Sequence, residues 1–157
     1  MKNRKIIIPI LLLSFILLLS GCSKMDKAQK AYDNYTEKWV QSDYSGMYQM
    51  LTNDSKSTIS EEDFTTRYTN IFSAINANNL SLELSGDKEK SDNQIIIPFN
   101  LTMNTLAGDV TLEDYKLILV KEEKEYKVKW DESLIFPQMT KDDKVRISTI
   151  PSKRGSI

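Results

Sequence analysis

An α+β domain, helical in its first half and sheet-forming in its second, is what the 157-residue sequence predicts. Two periodicities carry that reading. Apolar residues recur every three or four positions from Met25 to Ile75, and about every second position from Leu80 to Trp130. A third observation sets where the domain begins: Lys2, Arg4 and Lys5 precede an apolar run from Ile6 to Leu19, broken only by Pro9 and Ser14, which is the layout of an export leader.

Met25, Ala28, Tyr32, Tyr35 and Trp39 share one helical face opposite Lys27, Lys30, Asp33 and Lys38, so the first helix is amphipathic. Asp43 suits the cap of a second, shorter helix with Tyr44, Met47, Tyr48 and Leu51 on one side. Gly46 is expected to weaken it, and Thr52-Asn53-Asp54-Ser55 to end it. Ser60 followed by Glu61, Glu62 and Asp63 places a cap and acids where a helix dipole favours them, announcing a third helix with Phe64, Tyr68, Ile71 and Ile75 buried. After Asn76 to Asn79 the period becomes two. Leu80, Leu82 and Leu84 form one strand, Gly86 to Asn93 a polar turn, and Ile95, Ile97, Phe99, Leu101 and Met103 the inner face of the next. Beyond Gly108-Asp109 the apolar face runs through Val110 and Leu112, then Tyr115, Leu117 and Leu119. The change of parity at Glu113-Asp114 predicts a β-bulge. Lys121 to Glu125 reads as a hairpin tip, with Tyr126, Val128 and Trp130 on the return strand. The sum is three helices on a curved antiparallel sheet of about four strands.

Leu19-Ser20-Gly21-Cys22 abuts the apolar run and holds the only cysteine. It resembles the lipobox of bacterial lipoprotein precursors, which implies cleavage between Gly21 and Cys22 and a lipid on the Cys22 thiol. Two acyl chains hold a protein to a membrane where one holds only marginally. The apolar run is too short for a permanent span, which takes roughly 20 residues. The organisation expected is a leader over 1–21, a short tether over 22–27, a domain over 28–137 and an exit segment over 138–157.

Composition prunes the functions open to such a chain. With the three basic residues of the leader removed, 18 Lys and Arg stand against 22 Asp and Glu, a net charge of about −4, so no nucleic-acid partner is expected. Histidine is absent, which rules out Ser-His-Asp and Cys-His catalysis and His-ligated zinc. With the one cysteine lipidated, no disulfide and no thiolate site can form. Neither a cofactor nor an enzymatic activity is expected, since any catalysis would have to run on carboxylates, lysines or tyrosines.

Two motifs imitate chemistry. Ser85-Gly86-Asp87-Lys88 matches the S-x-x-K of penicillin-interacting serine enzymes and Ser91-Asp92-Asn93 their S-x-N. Both fall in a polar turn between strands, whereas the chemistry needs the serine to open a helix so that the lysine one turn on reaches its hydroxyl. No K-T-G follows; Lys153-Arg154-Gly155 lacks the hydroxyl. Asp87, Glu89 and Asp92, like Asp142-Asp143, lack calcium-loop spacing and read as solvated turn charge. The aromatic residues could line a pocket, but at these spacings they read better as core.

The segment from Tyr126 to Pro137, with Trp130, Ser133, Ile135 and Pro137 in a W-x-x-S-x-I-x-P arrangement, is followed by Lys141-Asp142, Lys144-Val145 and Arg154-Gly155-Ser156-Ile157. This resembles the closing edge of the NTF2-like N-terminal domain of low-affinity class B penicillin-binding proteins, the methicillin-resistance transpeptidase type of Gram-positive bacteria. In that family the Trp-to-Pro element closes the domain, and R-G-x-I-x-D-R-x-G opens a non-catalytic pedestal. The resemblance implies an NTF2-like cone acting as a spacer in peptidoglycan synthesis and the response to β-lactams, lipid-anchored outside the cell membrane. Its partners would be the downstream domains or cell-wall proteins. The chain stops before the D-R-x-G and before any transpeptidase domain, so the catalytic residues have no counterparts here, and a fragment or truncated product is expected. The alternative is a freestanding lipoprotein of the same fold that binds a small ligand or partner protein. Burying the Trp130 indole removes on the order of 200 Å² from water, and Pro137 is expected to force the chain out of the sheet.

Overall fold

A computed structural model describes residues 24–145 and Ser148. Gly21, Cys22, Arg154 and Gly155 lie outside the described residues. The first helix, α1, runs over residues 24–40, so residues 24–27, read from the sequence as tether, are helical. Its face of Ala28, Tyr32, Tyr35 and Trp39 is buried as the spacing predicts. Asp43 caps α2 (Tyr44–Gln49) by accepting from the Gly46 N–H at 2.9 Å, and its other oxygen meets Lys38 at 3.0 Å. Gly46 is therefore what the cap requires rather than a weakness. A Cβ there would lie 2.1 Å from the Asp43 carboxylate.

Among the described residues four helices precede the sheet, not three. Thr52 ends nothing; its hydroxyl accepts from the Ser55 N–H and starts α3 (Asn53–Thr58). Ser60 caps α4 (Glu61–Ala74) in the same way through Asp63. On α4 the buried side chains are Phe64, Tyr68, Ile71 and Phe72, while Ile75, expected in that stripe, is only partly covered.

β1 (Asn78–Leu84), β2 (Glu89–Ser91), β3 (Gln94–Thr105), β4 (Gly108–Glu122) and β5 (Glu125–Lys129) form one open antiparallel sheet. Its order is β1-β3-β4-β5, with β2 pairing the other half of the same β3 edge. β2 is the fifth strand, inside the stretch read as a polar turn. All three of its residues are exposed, so no apolar alternation betrays it. The predicted bulge is present: β3 and β4 lose register between Phe99↔Tyr115 and Leu101↔Leu112, and Asp114 takes φ 67. The slip returns Tyr115, Leu117 and Leu119 to the inner face beside Ile95, Ile97, Phe99, Leu101 and Met103, all buried against the helices.

Trp39 sits where the layers meet. Rings of Tyr35, Tyr68, Phe72, Phe99 and Tyr115 present edge-to-face contacts to it at 5.8 to 6.2 Å between centroids. Edge-to-face pairs of this kind add about 0.5–1.5 kcal/mol each beyond the area they bury. The interior of the cone is thus filled with aromatic side chains.

Candidate functional site

Of the residues singled out by resemblance, Trp130, Ser133, Ile135 and Pro137 are described, and the structure brings them into one closing turn. β5 ends at Lys129, and Trp130 follows, buried. Asp131 then caps a 3-10 turn, Glu132–Leu134, accepting from the Ser133 N–H at 2.9 Å and from its hydroxyl at 2.5 Å. So the chain leaves the sheet at Asp131, six residues before Pro137. The role of Pro137 is different from the one expected. The Met139 N–H donates to the Phe136 carbonyl at 3.0 Å, with Pro137 second in the turn and Gln138 third at φ 68, the geometry of a type II turn.

Three hydroxyls fasten this turn to the rest of the fold. The Ser55 hydroxyl accepts from the Trp130 backbone N–H at 2.8 Å and donates to the Trp130 carbonyl at 3.2 Å, doing for Trp130 what a neighbouring strand would do. The Tyr68 hydroxyl accepts from the Trp130 indole N–H at 3.1 Å and points its own hydrogen at the Leu134 carbonyl, 3.5 Å away. The Tyr115 hydroxyl donates to the Ile135 carbonyl at 2.9 Å. Just upstream, the Thr52 N–H donates to the Val128 carbonyl and the Val128 N–H to the Met50 carbonyl, both at 2.9 Å. A parallel bridge, Leu51↔Val128, thus covers the edge of β5 that would otherwise be open.

Burial sets the protonation of these groups. It pushes the Tyr115 hydroxyl upward, with Tyr68 adding; it raises Tyr68 too, partly offset by the indole N–H of Trp130. Tyr35 rises well above the ordinary tyrosine value for the same reason, and Tyr32 is pushed up to about 12. All four stay neutral across physiological pH and act as fixed hydrogen-bonding or packing groups, not as acids or bases.

Outside the turn, Arg67 on α4 donates to Glu132 at 3.3 Å and to the carbonyls of Lys141 and Asp143 at 3.4 and 3.3 Å. It holds residues 139–145 along α4 as a strap. The sequence reading placed Tyr68 and Tyr115 in the core and Ser55 in a helix stop and did not name Arg67, so none of the four was expected as a fastening group. Their partners are mostly backbone atoms 20 to 76 positions away, which no local pattern reveals.

The S-x-x-K tetrad lies between β1 and β2, with Ser85 exposed and not at a helix start. The Ser85 N–H simply bonds the Pro98 carbonyl at 3.1 Å. Among the described residues, no cluster of three Asp, Glu, Cys or His side chains is placed to hold a metal ion.

The helical layer, the bulged open sheet and this closing turn define an NTF2-like domain of the kind that precedes transpeptidases. The family described as the NTF2-like N-terminal transpeptidase domain matches residues 27–143, and the chain belongs to it. Penicillin-binding protein 3 of Bacillus subtilis (strain 168) is 34% identical over 160 aligned residues, covering 98% of this chain and 24% of that protein. The chain therefore spans about a quarter of the length of the curated relative it matches, and corresponds to its N-terminal domain.

Proposed function

We propose that this chain is the lipid-anchored, non-catalytic spacer domain of a class B penicillin-binding protein, standing on the outer face of the cell membrane and serving peptidoglycan synthesis and the response to β-lactams. The observation that carries the reading is the closing turn. Trp130 to Ile135 is bonded to α3, α4 and β4 at once, so the chain leaves the sheet in a fixed direction, as a spacer needs. The family match supports it, as does the small share of the relative that the domain covers. A cone filled by the rings around Trp39 favours a spacer over a binder of small ligands. Attachment is assigned to Cys22, the only thiol.

The test has two arms. In cells fed radiolabelled palmitate, the wild-type protein should take up label and Cys22→Ala should not; label persisting in Cys22→Ala would overturn the anchoring. Purified protein incubated with a fluorescent penicillin should acquire no covalent label. A Ser85-dependent acyl adduct by mass spectrometry would overturn the non-catalytic assignment.

A further inference from the structure

Basic side chains gather at one end of the molecule, although the chain as a whole carries more acids than bases. Where the opening turns of α1 meet the β4–β5 hairpin, a cleft of about 370 Å³ is lined by Lys27, Lys30, Lys124 and Lys127, with Glu125 as its one carboxylate and the half-buried Tyr126 beside them. Glu125 is paired with Lys127 at 2.9 Å. Lys27, Lys30 and Lys124 are exposed and meet no carboxylate among the described residues. The neighbouring acids are engaged elsewhere: Asp33 accepts from the Gln29 amide at 2.6 Å and Glu122 from the Asn53 N–H at 3.1 Å. Asp26 and Glu123 lie outside the lining, whereas spacings of three put Lys24 in one row with Lys27 and Lys30. Ammonium groups drawn together without counter-charge repel one another, and a bound anion relieves that repulsion.

We propose that this cleft binds the phosphodiester headgroups of anionic lipids, so that the domain rests on the bilayer surface by this end. Lysine is a compact point charge that meets a phosphate oxygen from many directions, which suits a layer of headgroups better than a single caged ion. Tyr126 adds a ring with a polar tip, the kind of side chain that settles where hydrocarbon gives way to water. The cleft also lies at the end that an anchored domain presents to the membrane. α1 begins at residue 24, two positions after the Cys22 thiol, and two residues of extended chain reach at most about 7 Å. The choice of a lipid as the source of the phosphate rests on the anchoring proposed above; the gathering of unpaired lysines does not. Each lysine near an anionic surface strengthens attachment about fivefold. With the closing turn fixing the direction in which the chain leaves the sheet, contact at this end fixes how the domain stands on the membrane.

Lysine acetylation read by mass spectrometry tests this on the full chain reconstituted into vesicles. With equal parts phosphatidylcholine and phosphatidylglycerol, Lys27, Lys30, Lys124 and Lys127 should be acetylated about fivefold more slowly than in phosphatidylcholine alone. Salt at about 0.5 M should remove most of that difference. Lys116 and Lys144, which do not line the cleft, should react alike in both vesicles. Equal rates at the four lysines, or equal protection of Lys116 and Lys144, would overturn the headgroup site. So would the same protection produced in phosphatidylcholine vesicles by soluble glycerol phosphate at matched phosphate, because the cleft would then be taking a free anion. The combined variant Lys27→Gln, Lys30→Gln, Lys124→Gln changes exposed positions only; it should melt close to wild type and lose the lipid-dependent protection of Lys127. Protection of Lys127 that survived in this variant would also count against the site. The palmitate experiment fails separately: protected lysines on a protein that takes up no label would remove the anchor and keep the headgroup site, and unprotected lysines on a labelled protein would remove only the site.

Discussion

The two tryptophans are nearly equally buried and are held by different forces. Around Trp39, five rings converge, and among the described residues the indole N–H and the hydroxyls of Tyr32 and Tyr35 find no hydrogen-bond partner. Shape alone holds that region. Around Trp130 the packing is lighter, Phe64 being its ring neighbour at 5.2 Å, but each polar atom of the residue is bonded, to Ser55 or to Tyr68. The difference shows how one small core divides its work: the aromatic interior supplies stability without direction, and the hydrogen-bonded turn fixes one geometry for the chain leaving it.

The largest effect should come from emptying the interior. Trp39→Ala should cost about 5 kcal/mol, the top of the range for such truncations and enough to unfold a domain of marginal stability. Trp130→Ala should cost about 3–4 kcal/mol by chemical denaturation; a Trp130→Ala protein that melts with wild type would show that the turn is not packed. Next comes Ser55→Ala. The change in volume is slight, but it leaves the Trp130 N–H and carbonyl buried and unmatched, so a loss of about 1–3 kcal/mol is expected from one oxygen atom. A loss below a few tenths would mean that another group, or water, takes over its bonds.

A finer comparison replaces each indole by phenyl. Both variants lose ring area, but only Trp130→Phe also breaks a hydrogen bond, to Tyr68, so it should be the worse of the two by about 1 kcal/mol once the loss of area is allowed for. Equal losses would erase the contrast between the regions. The smallest effect is alkaline. Tyr35, Tyr68 and Tyr115 keep their protons in the folded protein above the ordinary tyrosine value of 10.0, whereas the unfolded chain releases them there. Unfolding therefore sheds protons, and stability present below about pH 10 must fall as pH rises beyond it. Melting temperatures followed from about pH 8 to about pH 11 should drop in wild type and drop less steeply in Tyr115→Phe.

What was legible in the sequence was whatever repeats locally. The stripe of α1, the caps at Asp43 and Ser60, and the bulge at Glu113-Asp114 each follow from spacing within a few residues, and each is in the structure. Trp130 and Ile135 stood out because the family motif carries them. The elements missed have weak local signatures. α3 is six residues rich in Asn, Asp, Ser and Thr, which read as a stop, because its stability comes from Thr52 and from Ser55 reaching Trp130. β2 is a three-residue exposed edge with no apolar face to announce it. Gly46 misled for a related reason: its value lies in the space it leaves for Asp43 and Lys38, which helix propensity does not register.

The bonds of the closing turn also set the order in which the molecule can be finished. Ser55 and Trp130 are 75 positions apart, Tyr68 and Leu134 66, so sealing the helical layer closes very long loops. Topologies dominated by such distant pairs fold slowly, since the entropy of loop closure must be spent before the contacts form. As the polypeptide is synthesised from its N-terminus, α1 to α4 emerge first, with Leu51 lacking Val128 and with Phe64 and Tyr68 lacking Trp130. Those side chains stay only partly covered until β5 and the turn behind it have followed, which gives a nascent chain a long interval in which to be captured and kept unfolded before it locks.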